Sequence, residues 1–234
     1  MPRPLAGRHG SAQPPPHRRP VTLDVLIQAH PSRAASARRL AAELEGRVVY
    51  DPDPAGGANP WRCYAACLEA ASGYAWTVIV QDDAEAHPDF RRVCERIVMA
   101  HPGRLVALYH GAIPQNNAIR MILARDRGLC YAEMRAGAYV PSVALIWPPH
   151  LVQRIRRWLP KRVVAADDEM ISRFLTQSRA YDDRYLVTVP SLVEHPDNSP
   201  SLMGTHQRAA RSAVQPPPDD LAACHWESGV LTYL

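Results

Sequence analysis

Apolar positions in this chain gather in short runs separated by amphipathic stretches. Leu23-Asp24-Val25-Leu26-Ile27 is apolar, β-branched and of strand length, and it predicts a buried strand ending at Ala29-His30-Pro31. The spacing then changes: Ala37, Leu40, Ala41 and Leu44 recur at helical intervals, with Arg38, Arg39 and Glu43 on the other face. Gly46 stops that helix, and Arg47-Val48-Val49-Tyr50 gives a second strand closing at Asp51-Pro52-Asp53-Pro54. A strand–helix–strand unit of this kind implies parallel strands joined by a right-handed crossover.

The alternation continues along the chain. Pro60–Ser72 is helical, with Trp61, Tyr64, Ala65 and Leu68 on one stripe. Trp76-Thr77-Val78-Ile79-Val80 is the clearest buried strand and runs straight into Gln81-Asp82-Asp83. A helix over about Pro88–Ala100, a strand over Leu105–Tyr109 and a helix around Ala118–Arg125 follow. Strand character returns from Ala138 to Trp147. Helices are then predicted over His150–Leu159 and from Asp167 onward, and a last strand over Tyr185–Val189. The fold class implied is α/β: a Rossmann-like, mostly parallel sheet flanked by helices in a single domain. Residues 1–20 carry prolines and arginines without an acid and read as a disordered tail. The domain is placed at 21–205, with 206–234 as a C-terminal extension beyond it.

Composition narrows the class. At 47% hydrophobic and 21% charged residues, the 234-residue chain is ordinary for a globular protein and too apolar for wholesale disorder. No apolar run has the length of a membrane span, and no secretory signal opens the chain, so a cytoplasmic protein with no membrane span is expected. The net charge is +4, almost all of its cations being arginine, since Lys161 is the only lysine. That balance permits a nucleic-acid partner without requiring one. The five cysteines are widely spaced with no Cys-x-x-Cys pair, which argues against a disulfide framework or a compact zinc site.

In open α/β sheets, ligands bind beyond the carboxyl ends of the strands. Asp51, the pair Asp82-Asp83 and His195 all fall at such ends, where hard oxygen donors and an imidazole could share a divalent metal with a phosphate. Two adjacent carboxylates need a cation, a cap or water, so the pair suits either a metal site or a solvated turn. A second acidic cluster, Asp167-Asp168-Glu169, opens a helix. Asp168 shares a face with Ile171 and Leu175 and is expected to point inward as a catalytic base, while Asp167 caps the helix; capping alone would also account for the cluster. The helix carrying Arg154, Arg156, Arg157 and Trp158 reads either as a solvated amphipathic helix or as a surface for a phosphate backbone.

The segment Val78-Ile79-Val80-Gln81-Asp82-Asp83-Ala84 resembles the strand and acidic motif of nucleotide-sugar glycosyltransferases with the GT-A fold, above all the small bacterial and phage members. The resemblance runs roughly from Thr22 to Leu202. It takes in the first strand with its Arg33 loop, the Trp61 helix, the Asp167-Asp168-Glu169-Met170-Ile171 helix start, and Pro190-Ser191-Leu192-Val193-Glu194-His195 with Ser199 and Ser201. Gln81 stands where an acidic residue is usual, which removes one charge. The resemblance implies Asp83 and His195 as ligands of Mn2+ or Mg2+, and Asp82 beside the ribose or donor sugar. It places Asp51 toward the base, with His30 and Arg33 lining the nucleotide pocket. The donor would be a nucleoside-diphosphate sugar, a UDP-sugar first among them. The acceptor would be a hydroxyl of an envelope glycan or of a hydroxymethylated base in DNA. A nucleotidyltransferase, or a non-catalytic nucleic-acid-binding protein, would share the paired acids or the fold.

Overall fold

The computed structural model describes residues 21–112, 115–137, 139–160, 163–177, 183–196 and 212–232. The tail 1–20, Ser199 and Ser201 lie outside them. Among the described residues, ten strands and six α-helices follow one another as β1 (Leu23–Ala29), α1 (Ala34–Glu43), β2 (Arg47–Tyr50), α2 (Pro60–Ala70), β3 (Trp76–Gln81), β4 (Glu85–Ala86), α3 (Phe90–Ala100), β5 (Val106–Ala107), α4 (Gln115–Asp126), β6 (Tyr131–Arg135), β7 (Ala144–Trp147), α5 (Pro149–Trp158), α6 (Asp167–Gln177), β8 (Arg184–Thr188), β9 (Val193–Glu194) and β10 (Val230–Leu231).

Eight strands form one sheet in the order β2-β1-β3-β7-β5-β8-β6-β10. β1, β2, β3, β5 and β8 run one way, and β7, β6 and β10 run against them. The fold is therefore α/β with a large, mostly parallel mixed sheet, compatible with a Rossmann-like arrangement. The period-2 alternation of β1 sorts its side chains cleanly. Leu23, Val25, Ile27 and Ala29 pack with α1 and α3 on one face, and Leu26 packs with α2, α4, α5 and α6 on the other. Among the described residues no helix is long and apolar enough to cross a membrane.

Several short elements escape the sequence pattern. β4 and β9 pair antiparallel as a separate ribbon, and β6 falls between the helix predicted around Ala118–Arg125 and the strand predicted from Ala138, where the pattern predicts no element. Two predicted strands are shorter than the apolar runs that suggest them. The regular part of 105–109 is Val106–Ala107, and that of 139–147 is Ala144–Trp147; Leu105, Leu108 and Val143 still make single backbone bonds to neighbouring strands. Residues 212–232 pack on the domain: Leu221 and Trp226 are wholly buried, and β10 extends the sheet beside β6. Trp158 turns toward the core against Trp61 and Phe174. Arg156 donates to the carbonyls of Leu68 at 2.6 Å and Glu69 at 3.0 Å, and to that of Ala71, closing the C-terminus of α2. That ring and that guanidinium therefore serve packing and helix capping.

Candidate functional site

The chain leaves β1 toward β2 on one side and returns to β3 on the other, so the crevice between the carboxyl ends of β1 and β3 is a topological switch point. The loops after β1 and β3 meet there through side chains. Asp82, following β3, accepts from the His30 backbone amide at 2.9 Å. Arg33, in the 3-10 turn Pro31–Arg33 after β1, donates through Nη1 to Asp82 Oδ1 at 2.9 Å and to Asp83 Oδ2 at 2.6 Å. The side chains of Asp82 and Asp83 are only 6% and 8% exposed. Two carboxylates this deep are tolerated because a cation lies across both.

His195 arrives from the far end of the sequence by way of the small ribbon. β4 begins just beyond Asp83 and β9 ends just before His195, and Glu85 pairs with Glu194, so Asp83 and His195 flank the same end of the ribbon. Glu194 fixes that corner, accepting from the amides of His195 at 3.0 Å and Ala213 at 2.8 Å. His195 Nε2 lies 3.2 Å from Asp83 Oδ2, and its ring meets Tyr109 edge-on. Burial would push the Asp83 carboxyl up, but His195 and Arg33 outweigh it and hold it down at about 2. Burial dominates at Asp82, which is raised despite the His30 amide and Arg33. Among the described residues, Asp83 Oδ1 is buried without a hydrogen-bond partner, and buried His195 Nε2 has none beyond its approach to Asp83 Oδ2.

The second acidic cluster reaches the same edge. Because β7 runs against β3, its start, not its end, lies beside Gln81, whose amide donates to the Val143 carbonyl at 2.9 Å. Asp167 is the inward residue of α6 and is 5% exposed, whereas Asp168 is half-buried. That reverses the expected orientation. The reason is a set of neutral donors beneath the N-terminus of α6. Asp167 Oδ2 accepts from Gln28 Nε2 at 3.0 Å and Gln81 Nε2 at 3.2 Å, and Oδ1 accepts from Ser142 Oγ at 2.9 Å and from the Asp168 amide at 2.9 Å. Asp168 Oδ1 accepts from the Glu169 amide at 2.7 Å. Burial and the neighbouring Asp167 push the Asp168 carboxyl up to about 6. Burial also raises the nearby Tyr139 phenol, with Asp168 adding to the effect.

Gln81 thus has a structural use. It pairs in register with Gln28, and both amides converge on one buried carboxylate. Gln81→Glu would set a second carboxylate against Asp167. The variant is expected to lose about 1–3 kcal/mol at neutral pH. The new carboxyl's folded pKa would be raised, so the loss should disappear as pH falls below the ordinary glutamate range near ~4. Urea denaturation at two pH values checks this, and an undiminished loss in acid would mean the effect is steric.

Asp51 lies at the end of β2 but is already engaged. Arg62 grips it through a planar fork, Nε to Oδ1 at 2.6 Å and Nη2 to Oδ2 at 2.7 Å. Burial pushes that carboxyl up, and the Arg62 and Asp53 hydrogen bonds bring it below its ordinary value. The crevice therefore gathers His30, Arg33, Asp82, Asp83 and His195, with Asp167 and Asp168 joined to it through Gln81. Asp51 stands beside it as part of an ion pair.

Gln28, Arg62, Tyr109, Tyr139 and Ser142 were not singled out by sequence reasoning. A signal existed for Gln28: it is a polar residue at the end of an apolar strand, on the same face as Leu26. Among the described residues, no group of three or more His, Cys, Asp or Glu side chains is arranged to hold a metal. No protein-family model matches this sequence, and no curated protein matches it either.

Proposed function

We propose that this chain is a metal-dependent glycosyltransferase of the GT-A type, moving a sugar from a nucleoside-diphosphate donor to a hydroxyl acceptor. One observation carries the reading. At the switch point of the sheet, Asp83 Oδ1 is buried without a hydrogen-bond partner among the described residues, beside the buried imidazole of His195 and the guanidinium of Arg33. Oxygen and imidazole donors suit Mn2+, and Mg2+ through the carboxylate. With only these two protein ligands, the remaining positions would fall to donor phosphate oxygens and water. Such an ion, when bound, offsets the charge that develops on the departing diphosphate.

The chain's own residues supply the rest. His30 and Arg33 form the rim on the β1 side, and Arg33 brings a charge matched to phosphate. Asp168, with its raised pKa, is suited to take the acceptor hydroxyl's proton as oxygen bonds to the anomeric carbon and the bond to the diphosphate breaks. The diphosphate leaves with the electron pair of that bond. Asp167 fixes the start of α6 and hence the place of Asp168.

The test is a panel of nucleotide sugars with and without Mn2+, read by thermal shift and by product. Mn2+-dependent stabilisation and release of nucleoside diphosphate support the reading. Release of pyrophosphate or nucleoside monophosphate would point to nucleotidyl transfer, and no response to any donor would remove the enzyme assignment. Acceptor class is read from salt: binding that falls steeply with added salt indicates DNA, and indifference to salt indicates a glycan.

A further inference from the structure

We propose that residues 213–215, in the stretch that the sequence pattern sets outside the domain, are a strap that positions His195 beside Asp83, with the Glu194 carboxylate as the joint between them. Glu194 is then a positioning residue, acting through the imidazole next to it. The inference rests on the glycosyltransferase reading for the use made of His195, and it adds what holds that side chain in place.

His195 follows β9, a strand of two residues paired with the equally short β4. A ribbon of that length fixes little by itself. Three consecutive residues of the C-terminal segment supply further ties. The Ala213 amide donates at 2.8 Å to the same Glu194 Oε1 that accepts from the His195 amide at 3.0 Å. Ala213 also bridges Gly111 antiparallel, and the Val214 amide donates to the His110 carbonyl at 3.0 Å. The Gln215 carbonyl accepts from the Ser191 amide at 2.8 Å. The segment therefore ties the loop after β5 to the loop before β9, the two loops that bring Tyr109 and His195 into edge-on contact. Beyond it, the wholly buried Leu221 and Trp226 anchor the chain in the core. Hydrogen bonds to an ionised acceptor are the stronger kind, so the joint at Glu194 carries the fixed place of the strap to the imidazole.

Amide hydrogen exchange of the wild-type protein in sub-denaturing urea tests the strap without a ligand or a variant. The amides of Ser191, His195, Ala213 and Val214 should open together as one unit. A His195 amide that opens independently of Ala213 and Val214 overturns the proposal.

The consequence for the site is read by the electron paramagnetic resonance of Mn2+ in the presence of UDP. Glu194→Ala and Ala213→Pro each break the joint, one by removing the acceptor and the other the donor, and each should weaken Mn2+–UDP binding at least about tenfold. Glu194→Gln keeps an accepting oxygen and should stay within about threefold of wild type. In a His195→Ala background, Glu194→Ala should add less than about a twofold loss, since the effect passes through the imidazole. A folded Ala213→Pro protein that binds as wild type does, an equal loss in Glu194→Gln, or an undiminished loss without the imidazole overturns the proposal. If wild type binds no Mn2+ with UDP, GDP or another nucleoside diphosphate, the glycosyltransferase reading falls, and the exchange experiment alone decides the strap.

Discussion

Asp83→Asn is expected to abolish Mn2+-dependent nucleotide binding and to lower transfer by about a thousandfold or more. The substitution keeps shape and removes the charge that faces Arg33 and His195. It also has a stability signature. The folded-state pKa of Asp83 is depressed to about 2, so its ionised form is favoured by folding. That contribution is present above the ordinary carboxylate range and disappears as pH falls toward about 2. Wild type should exceed the variant by on the order of 2 kcal/mol at neutral pH, and the two should converge between pH ~4 and pH ~2. Turnover at the wild-type rate in Asp83→Asn would remove the metal assignment outright.

Asp168→Asn is expected to cut turnover by about 10²–10⁴ while donor affinity is retained. Its pH dependence separates the base from a helix cap. With the folded-state pKa raised to about 6, the carboxylate needed to accept a proton becomes available as pH rises through that value. Wild-type kcat/KM should climb to a plateau above about pH 6, and the variant should be low and lack that limb. Stability moves the opposite way: the fold favours protonated Asp168, so its contribution diminishes between the ordinary carboxylate range and about pH 6. A variant with unchanged turnover and a lower melting temperature would leave Asp168 a capping residue only.

The parts of the fold that read directly from the sequence are those whose pattern is long enough to show a period. β1 and β3 are apolar runs, and α1, α2 and α5 carry clear stripes, so the strand–helix alternation and the place of Asp82-Asp83 follow from local pattern. The two-residue strands β4, β9 and β10 have no period to detect and form because tertiary contacts bring their partners into line. The site divides in the same way. Its position at the strand ends is legible, since connectivity alone locates the switch point. The pairings are not: Arg33 with the two acids, Arg62 with Asp51, and Gln28 and Gln81 with Asp167 depend on which loops meet. Gln81 is the clearest instance. In the sequence it is a missing charge, and in the fold it is an amide donor that an ionised carboxylate could not replace. At the start of α6 the helical wheel turns Asp168 inward, but the polar floor formed by Gln28, Gln81 and Ser142 draws in Asp167 instead.

The corner that carries His195 has a kinetic implication. Arg33, Asp82 and Asp83 are synthesised early and close on one another within the first strand–helix–strand units, whereas His195 can be seated only after β8 and β9 have been made. A growing polypeptide therefore contains Arg33 and both acids before it contains the imidazole. Seating the imidazole beside Asp83 is thus a late event in synthesis, and local fraying of the β9 corner is expected to undo it.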